Sequence, residues 1–389
     1  MSQRRVSTGR LALVALSCLT AACQATQVRY APLIEAPYVA DPSQATLFLL
    51  GDGGEDNAAR RDVLVHLAEN ISAVAADGSG PPVVVAFLGD NIYDDGVREE
   101  FVNEDVAKLR GQIFSLGQSP NVKGVFVPGN HDWATGRSDE KGLAAVLRQR
   151  DGIERFSEGR DVRLLPADGC PGPVSQHLGD AVHLVFFDSE WLLREPDDHC
   201  GPPEDFYRRL QEELEANSDR QVIVMSHHPL VTGGPHGGNV GLFEHGPLVY
   251  YLSTKAGVSI QDRASPAYSN MAQRLEGAFA ASGAPPLIQA AGHDHNLQVI
   301  GLSQASGSDY QLVSGSASRN SNVRRVDGTR YASDGFGYMR LDFDGAAVRL
   351  YVYAREAAGG PVRTVFRCTV ASSDRSADCP EASLAGGGG

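Results

Sequence analysis

VVVAFLGDNIYDDG, residues 83 to 96, runs six apolar residues straight into a turn that holds three acids and a tyrosine. An apolar run of that length, without alternation, reads as a strand covered on both faces, the kind found in sheets flanked by helices. Comparable runs recur as TLFLL (46 to 50), VKGVFV (122 to 127), AVHLVFF (181 to 187), QVIVM (221 to 225) and PLIQAA (286 to 291). Helical patterns lie between them. In residues 202 to 217, Phe206, Leu210 and Leu214 return every four residues, and residues 99 to 114 place Phe101, Val102, Val106, Leu109 and Ile113 on one face. After residue 297 the texture is mostly strand and turn, ending in a hairpin pattern across Asp344-Gly345. Strands alternating with helices predict an α/β sheet, and ligands in such sheets gather beyond the carboxyl ends of the strands.

The polar residues of this chain fall at those ends. LLGDGG presents Asp52, FLGDNIY presents Asp90 and Tyr93, and VPGNHD presents Asn130 and His131. VMSHHP presents His227, and AAGHDHN presents His293 and His295. Taken singly, each fragment is ordinary turn chemistry, with a tyrosine ring over a turn or a hydrogen-bonded structural histidine. Taken together, five of the chain's eleven histidines stand beside two aspartates and an asparagine, each delivered to one sheet edge by an apolar run. Two metal ions roughly 3.5 to 4 Å apart, which activate water and stabilise charge at a phosphoryl group, need such a set. One carboxylate bridges, hard oxygens add charge, and imidazoles suit iron or zinc.

The order GD, GDxxY, GNHD, a histidine after a strand, and GHxH resembles the calcineurin-like metallophosphoesterase superfamily. Within it, GDNIYDDGV and GHDHNLQ are similar to the motifs of purple acid phosphatases, particularly the tartrate-resistant type, and FEHGP, LVSGSAS and GFGY extend the likeness over roughly residues 45 to 369. The resemblance implies a β-sandwich flanked by helices, a four-layer α/β/β/α fold. It implies one metal site of Asp52, Tyr93 and His295, a second of Asn130, His227 and His293, and Asp90 as the bridge. Most of the superfamily has a histidine two residues after the first aspartate. Here that position is Gly54, and Tyr93 supplies the missing ligand. A phenolate favours a trivalent ion, so Fe(III) is expected at the first site and divalent iron, zinc or manganese at the second. The implied activity is phosphate monoester hydrolysis at acidic pH by attack of a metal-bound hydroxide, with His131 facing the phosphate. The lid histidine is either His245, in Glu244-His245-Gly246-Pro247, or His236. A phosphodiesterase or nucleotide hydrolase on the same metals is the alternative, and an envelope binding lipoprotein that has lost the chemistry a further one. Asp132 either orients His131 or stabilises its own turn, His228 reads as a packing residue behind His227, and Arg319, Arg324 and Arg325 read as solvated loop residues, with contact to the anionic parts of a substrate as the alternative.

The 389 residues, 42% of them hydrophobic, suffice for one large core or two modest ones. Residues 1 to 22 carry Arg4, Arg5 and Arg10, no acid, and an apolar run too short to span a bilayer comfortably, which reads as an export signal. Cys23 follows Leu19-Thr20-Ala21-Ala22, so it is either lipidated, tethering the protein to a membrane, or cleavage falls nearby. The expected destination is the periplasm or cell envelope. Residues 23 to 44 read as a tether, 45 to 369 as the catalytic domain and 370 to 389 as a tail. The net charge of −14, more negative once the signal is gone, argues against nonspecific nucleic-acid binding and leaves a small phosphorylated substrate as the expected partner. Four cysteines remain, and the local scheme pairs Cys170 with Cys200 and Cys368 with Cys379.

Overall fold

The apolar run at the centre of the sequence signature forms β2, Val83–Phe87, parallel to both β1, Ala45–Leu50, and β3, Val122–Phe126. This computed structural model describes residues 43–99, 101–196, 200–238, 259–302, 307–355, 359–371 and 378–382. The first sheet has seven strands in the order β14-β13-β12-β1-β2-β3-β4, adding β4 (Asp161–Leu164), β12 (Phe336–Asp344), β13 (Ala347–Arg355) and β14 (Arg363–Ala371). The second comprises β5 (Val174–Leu178), β6 (Val182–Phe186), β7 (Gln221–Met225), β8 (Ile288–Ala291), β9 (Leu297–Gly301), β10 (Tyr310–Ser314) and β11 (Thr329–Ser333). Its order is β11-β9-β10-β8-β7-β6-β5, with β6, β7, β8 and β10 parallel.

Strand periodicity sorts the core. Leu47, Leu49, Val84 and Ala86 meet Ile223, Met225, Leu312 and Met339 in the cluster between the sheets. Their neighbours Phe48, Leu50 and Val85 face outward with Val63 and Leu67 of α1 (Ala58–Ala75), Leu109 and Ile113 of α2 (Asn103–Ser115), and Val146 and Ile153 of α3 (Asp139–Phe156). On the outer side of the second sheet, Val185 and Val224 join α4 (Ser189–Arg194), α5 (Pro203–Ala216) and α6 (Pro266–Ala281). Helix, sheet, sheet and helix therefore stack in the expected order, and both faces of each central strand are dry.

The strands expected in the sequence occur within a residue or two of their bounds, as does α5, which buries Phe206, Leu210 and Leu214. Helix α2 differs. It starts at Asn103, so Phe101 and Val102 precede it and Val102 is exposed. Its buried face is partly polar, with Asp105, Lys108 and Gln112 beside Leu109 and Ile113, because it lies over the turn after β2 as well as over the sheet. Lys108 Nζ donates to the Tyr93 carbonyl at 2.7 Å, and Gln112 Nε2 donates to that of Asn91 at 3.0 Å.

The hairpin between β12 and β13 turns at Gly345, whose φ of 57° lies in the left-handed region glycine favours. Cys170 is bonded to Cys200 and Cys368 to Cys379, as the local scheme predicts. Such bonds belong to chains that fold in an oxidising, non-cytosolic compartment. Among the described residues, no helix is long and apolar enough to cross a membrane. The export signal, the tether and Cys23 lie outside the described residues.

Candidate metal centre

Strands β1, β2 and β3 of one sheet and β7 and β8 of the other carry the polar motifs on the turns just past their carboxyl ends. Asp52, Asp90 and His293 hold φ of 60°, 53° and 69°, a conformation that costs a residue with a side chain on the order of 1–3 kcal/mol. Three such residues at one edge show that the surrounding packing dictates where these side chains point. Packing is close enough that a Cβ on Gly129 would fall 2.4 Å from the Asp90 backbone nitrogen and carboxylate.

His227, His293 and Asn130 meet in an arrangement that hydrogen bonding among themselves cannot satisfy. His227 Nδ1 lies 2.8 Å from the Leu88 carbonyl and His293 Nε2 lies 2.9 Å from the Gln261 carbonyl. A carbonyl only accepts, so each of those ring nitrogens carries the proton and the other ring nitrogen holds a lone pair. Asn130 Nδ2 donates to Thr135 Oγ1, which turns Asn130 Oδ1 toward the same point. His227 Nε2, His293 Nδ1 and Asn130 Oδ1 then stand 3.0, 3.1 and 3.2 Å from one another. Three acceptors converge with no proton between them. For ligands about 2.1 Å from a first-row metal, neighbouring donor atoms lie about 3.0 to 3.4 Å apart, so the spacing fits a cation.

A second set faces the first across Asp90. Tyr93 Oη is 3.0 Å from Asp52 Oδ1 and 3.1 Å from His295 Nε2, which is 3.5 Å from Asp52 Oδ1. Ligand atoms of Asp52, Asp90 and His295 all lie within 4.8 Å of one another, while Asp90 Oδ1 is 3.4 Å from His227 Nε2. Asp90 therefore borders both sets. Gly54 belongs to the same packing: a Cβ there would sit 2.7 Å from the Tyr93 backbone nitrogen, so a side chain at 54 and this Tyr93 turn exclude each other.

The electrostatics suit the donor roles. Burial pushes the imidazoles of His227 and His293 down and holds that of His295 at about 3, so they are neutral with lone pairs available. Burial works against ionised Asp90, but its surroundings lower the carboxyl to about 2, among them the His131 backbone N–H that donates to Oδ1 at 3.0 Å. Asp52 and Tyr93 are pushed up by burial and by neighbouring carboxylates, which favours their protonated forms, and a bound cation would oppose that shift by favouring the anions.

A family described as calcineurin-like phosphoesterase matches residues 49–255, more than half of the chain. The chain belongs to this family. Calcineurin-like phosphoesterases use a dinuclear metal site, and membership implies a metal-dependent phosphoester hydrolase. The match ends before His293 and His295, which the second sheet brings to the site. The fold is also that of GAP50, the anchor in the inner membrane complex of Plasmodium, at 14% identity and a TM-score of 0.55 over 83% of this chain and 89% of that one. PhoD is similar at 12% identity and a TM-score of 0.53, over 90% of this chain and 72% of its own. No curated protein matches the sequence.

Around the seven candidate ligands of this phosphoesterase, other residues take specific places. His131 Nδ1 hydrogen-bonds the Asp94 carbonyl, and Nε2 stands 4.0 Å from Asp90 Oδ2 on the open side of the site. Asp132 does not touch His131 through its carboxylate. It accepts from the backbone of Gly129, Asn91 and Ile92, tying the turns after β2 and β3 together. His228 lies close to His227 and His293, yet Ser189 Oγ and Gln261 Oε1 each hold one of its ring nitrogens at 2.8 Å. It packs behind the site.

Arg319 is not a free loop residue. Its guanidinium lies 3.7 Å over the Tyr93 ring and bonds Glu55 and Asp94. Arg324 and Arg325 stay on the loop, Arg325 pairing with Glu381. His236 stacks on His293 with ring centroids 3.9 Å apart, whereas His245 lies outside the described residues. Sequence reasoning missed Gln261, Lys108 and Gln112. The two carbonyl contacts to Lys108 and Gln112 follow from buried polar positions on a helix, but nothing in the sequence near Gln261 marks it.

Proposed function

We propose that this phosphoesterase is an exported acid phosphatase of the purple acid phosphatase kind, acting on phosphate monoesters. The observation that carries the proposal is Tyr93 Oη set against Asp52 Oδ1 and His295 Nε2, where Gly54 leaves no room for a side chain. Asp52, Tyr93 and His295 would hold Fe(III), Asn130, His227 and His293 would hold divalent iron, zinc or manganese, and Asp90 would border both ions. When bound, the pair supplies an activated water and positive charge for the phosphoryl oxygens. The chain's own residues do the rest. His131, its ring held by the Asp94 carbonyl through Nδ1, would hydrogen-bond a phosphoryl oxygen through Nε2. His236, whose ring lies beside that of His293, would serve the leaving group. Leu88 and Gln261 keep the two imidazoles in the tautomers that expose a lone pair.

Hydrolysis of an aryl phosphate monoester and the matching diester, measured from acidic to neutral pH on purified protein with its metals quantified, tests this. Faster monoester turnover with an acidic optimum is the expected result. Faster diester turnover would keep the family and overturn the phosphatase reading.

A further inference from the structure

We propose that Asp262 is a positioning residue that fixes the ring of His236 and directs its Nε2 toward the leaving group. The proposal rests on the phosphoesterase reading above and adds a residue that no sequence motif marks. His236 sits in the short turn Pro235–Gly237 and is held at several points. Its backbone nitrogen donates to Asp294 Oδ1 at 3.1 Å, and its carbonyl accepts from the Arg263 nitrogen at 3.0 Å. Its Nδ1 is 3.0 Å from Asp262 Oδ1, and its ring lies at 30° to that of His293 with centroids 3.9 Å apart. Thr232 Oγ1 bonds the other oxygen of Asp294, which is itself fully buried, so the anchor under the turn is fixed as well. Among the described residues, nothing hydrogen-bonds His236 Nε2.

The physical argument concerns direction. A histidine on a turn has two rotatable side-chain bonds, and stacking on His293 limits the tilt of the ring without fixing its rotation in the plane. A carboxylate on Nδ1 removes that freedom, because Nε2 then points away from Asp262 along the far edge of the ring. Asp262 is mostly buried, and its neighbours in the chain serve the same site: the Gln261 carbonyl accepts from His293 Nε2, and the Arg263 nitrogen holds the His236 carbonyl. Three consecutive residues therefore set both the imidazole that would face a metal and the one that would face the leaving oxygen. Misplacement of such a group by about 1 Å can cost about 100-fold in rate.

The test uses the full chain loaded with its metals, as Asp262→Ala and Asp262→Asn, on an alkyl phosphate and on a nitrophenyl phosphate. An alkoxide leaves poorly without a positioned hydrogen-bond donor, and a nitrophenolate leaves readily without one. The expected result is a fall in kcat at least about tenfold larger for the alkyl ester, with two metals per chain retained. His236→Ala should show the same selectivity, and the Asp262→Ala/His236→Ala pair no further loss, since the two act as a unit. Nitrogen NMR of the ring should show His236 protonated on both nitrogens in the wild type, with Nδ1–H bonded to the Asp262 carboxylate and Nε2–H left to be donated to the leaving oxygen, and loss of the Nδ1 bond in Asp262→Ala. Equal losses on both esters, no loss on either, additive losses in the pair, or an unchanged ring signal would each overturn the proposal. Should Asp262→Ala not fold, Asp262→Asn carries the same comparison, because its amide can present either atom to Nδ1 and no longer enforces one orientation. Wild-type protein that holds two metals and cleaves neither ester would overturn the phosphoesterase reading itself, and Asp262's role with it.

Discussion

At the scale of single residues, Tyr93 ties several observations together. It lies between Asp52 and His295, its carbonyl is held by Lys108, and the Arg319 guanidinium covers its ring. Burial and two carboxylates push its hydroxyl up, so only a strongly charged cation would draw the proton off. If Fe(III) occupies this set, Tyr93→Phe should abolish a visible phenolate-to-iron band, and survival of the band in the variant's spectrum would rule the ligand assignment out. The sequence identified Tyr93 through its place in GDNIY. It did not identify the contacts that hold the ring, since Lys108 and Arg319 stand 15 and 226 positions further along and meet Tyr93 only after folding.

At the scale of elements, the site depends on turns that are rigid because they brace each other. Asp132 is the brace between the turns after β2 and β3, taking the backbone nitrogens of Gly129, Asn91 and Ile92 and the Asn91 side chain, all buried. Leaving these donors unpaired costs about 1–3 kcal/mol each. Asp132→Ala should therefore lower unfolding stability by about 3 kcal/mol or more in urea titrations, and it should weaken metal retention through Asp90 and Asn130. A stability loss under 1 kcal/mol with full metal content would show that the turns hold without it. The start of α2 went against the sequence pattern for a related reason. Periodicity counts apolar residues, while this helix spends part of its buried face on polar groups that serve the neighbouring turn.

At the scale of the whole molecule, the two sheets bring three ionisable oxygen ligands, one amide oxygen and three imidazoles from distant segments into one buried edge, and that gathering has a cost without metal. Burial first and Asp90 second push the Asp52 carboxyl well above its ordinary value. A carboxyl whose folded pKa exceeds its unfolded one penalises the fold at neutral pH, and the penalty fades as pH falls through the folded value toward the unfolded one. Bound cations need the ionised form, so protons compete with them. Chelator should therefore lower Tm clearly at pH 7, metals at a thousandfold excess over Kd being worth roughly 4 kcal/mol, and the gap between loaded and stripped protein should narrow toward pH 4. A gap that stays constant across that range in paired thermal scans would count against buried carboxylate ligands.

The sequence by itself pointed to the strands and to the edge at which they deliver their polar turns, because apolar runs and Gly-Asp, Gly-Asn and Gly-His turns are local properties, while the choice of seven ligands among those turn residues came from the likeness to a known family. It also pointed to the disulfide pairing, since each pair brackets a short loop. Only the tertiary structure decided which nitrogen of each imidazole faces the site, that Asp90 borders both ligand sets, that Asp132 braces turns and not His131, and that Asp262 meets His236. Those depend on carbonyls, carboxylates and ring faces contributed from far along the chain. Their approach is fixed by how two sheets pack, and no local pattern encodes that packing.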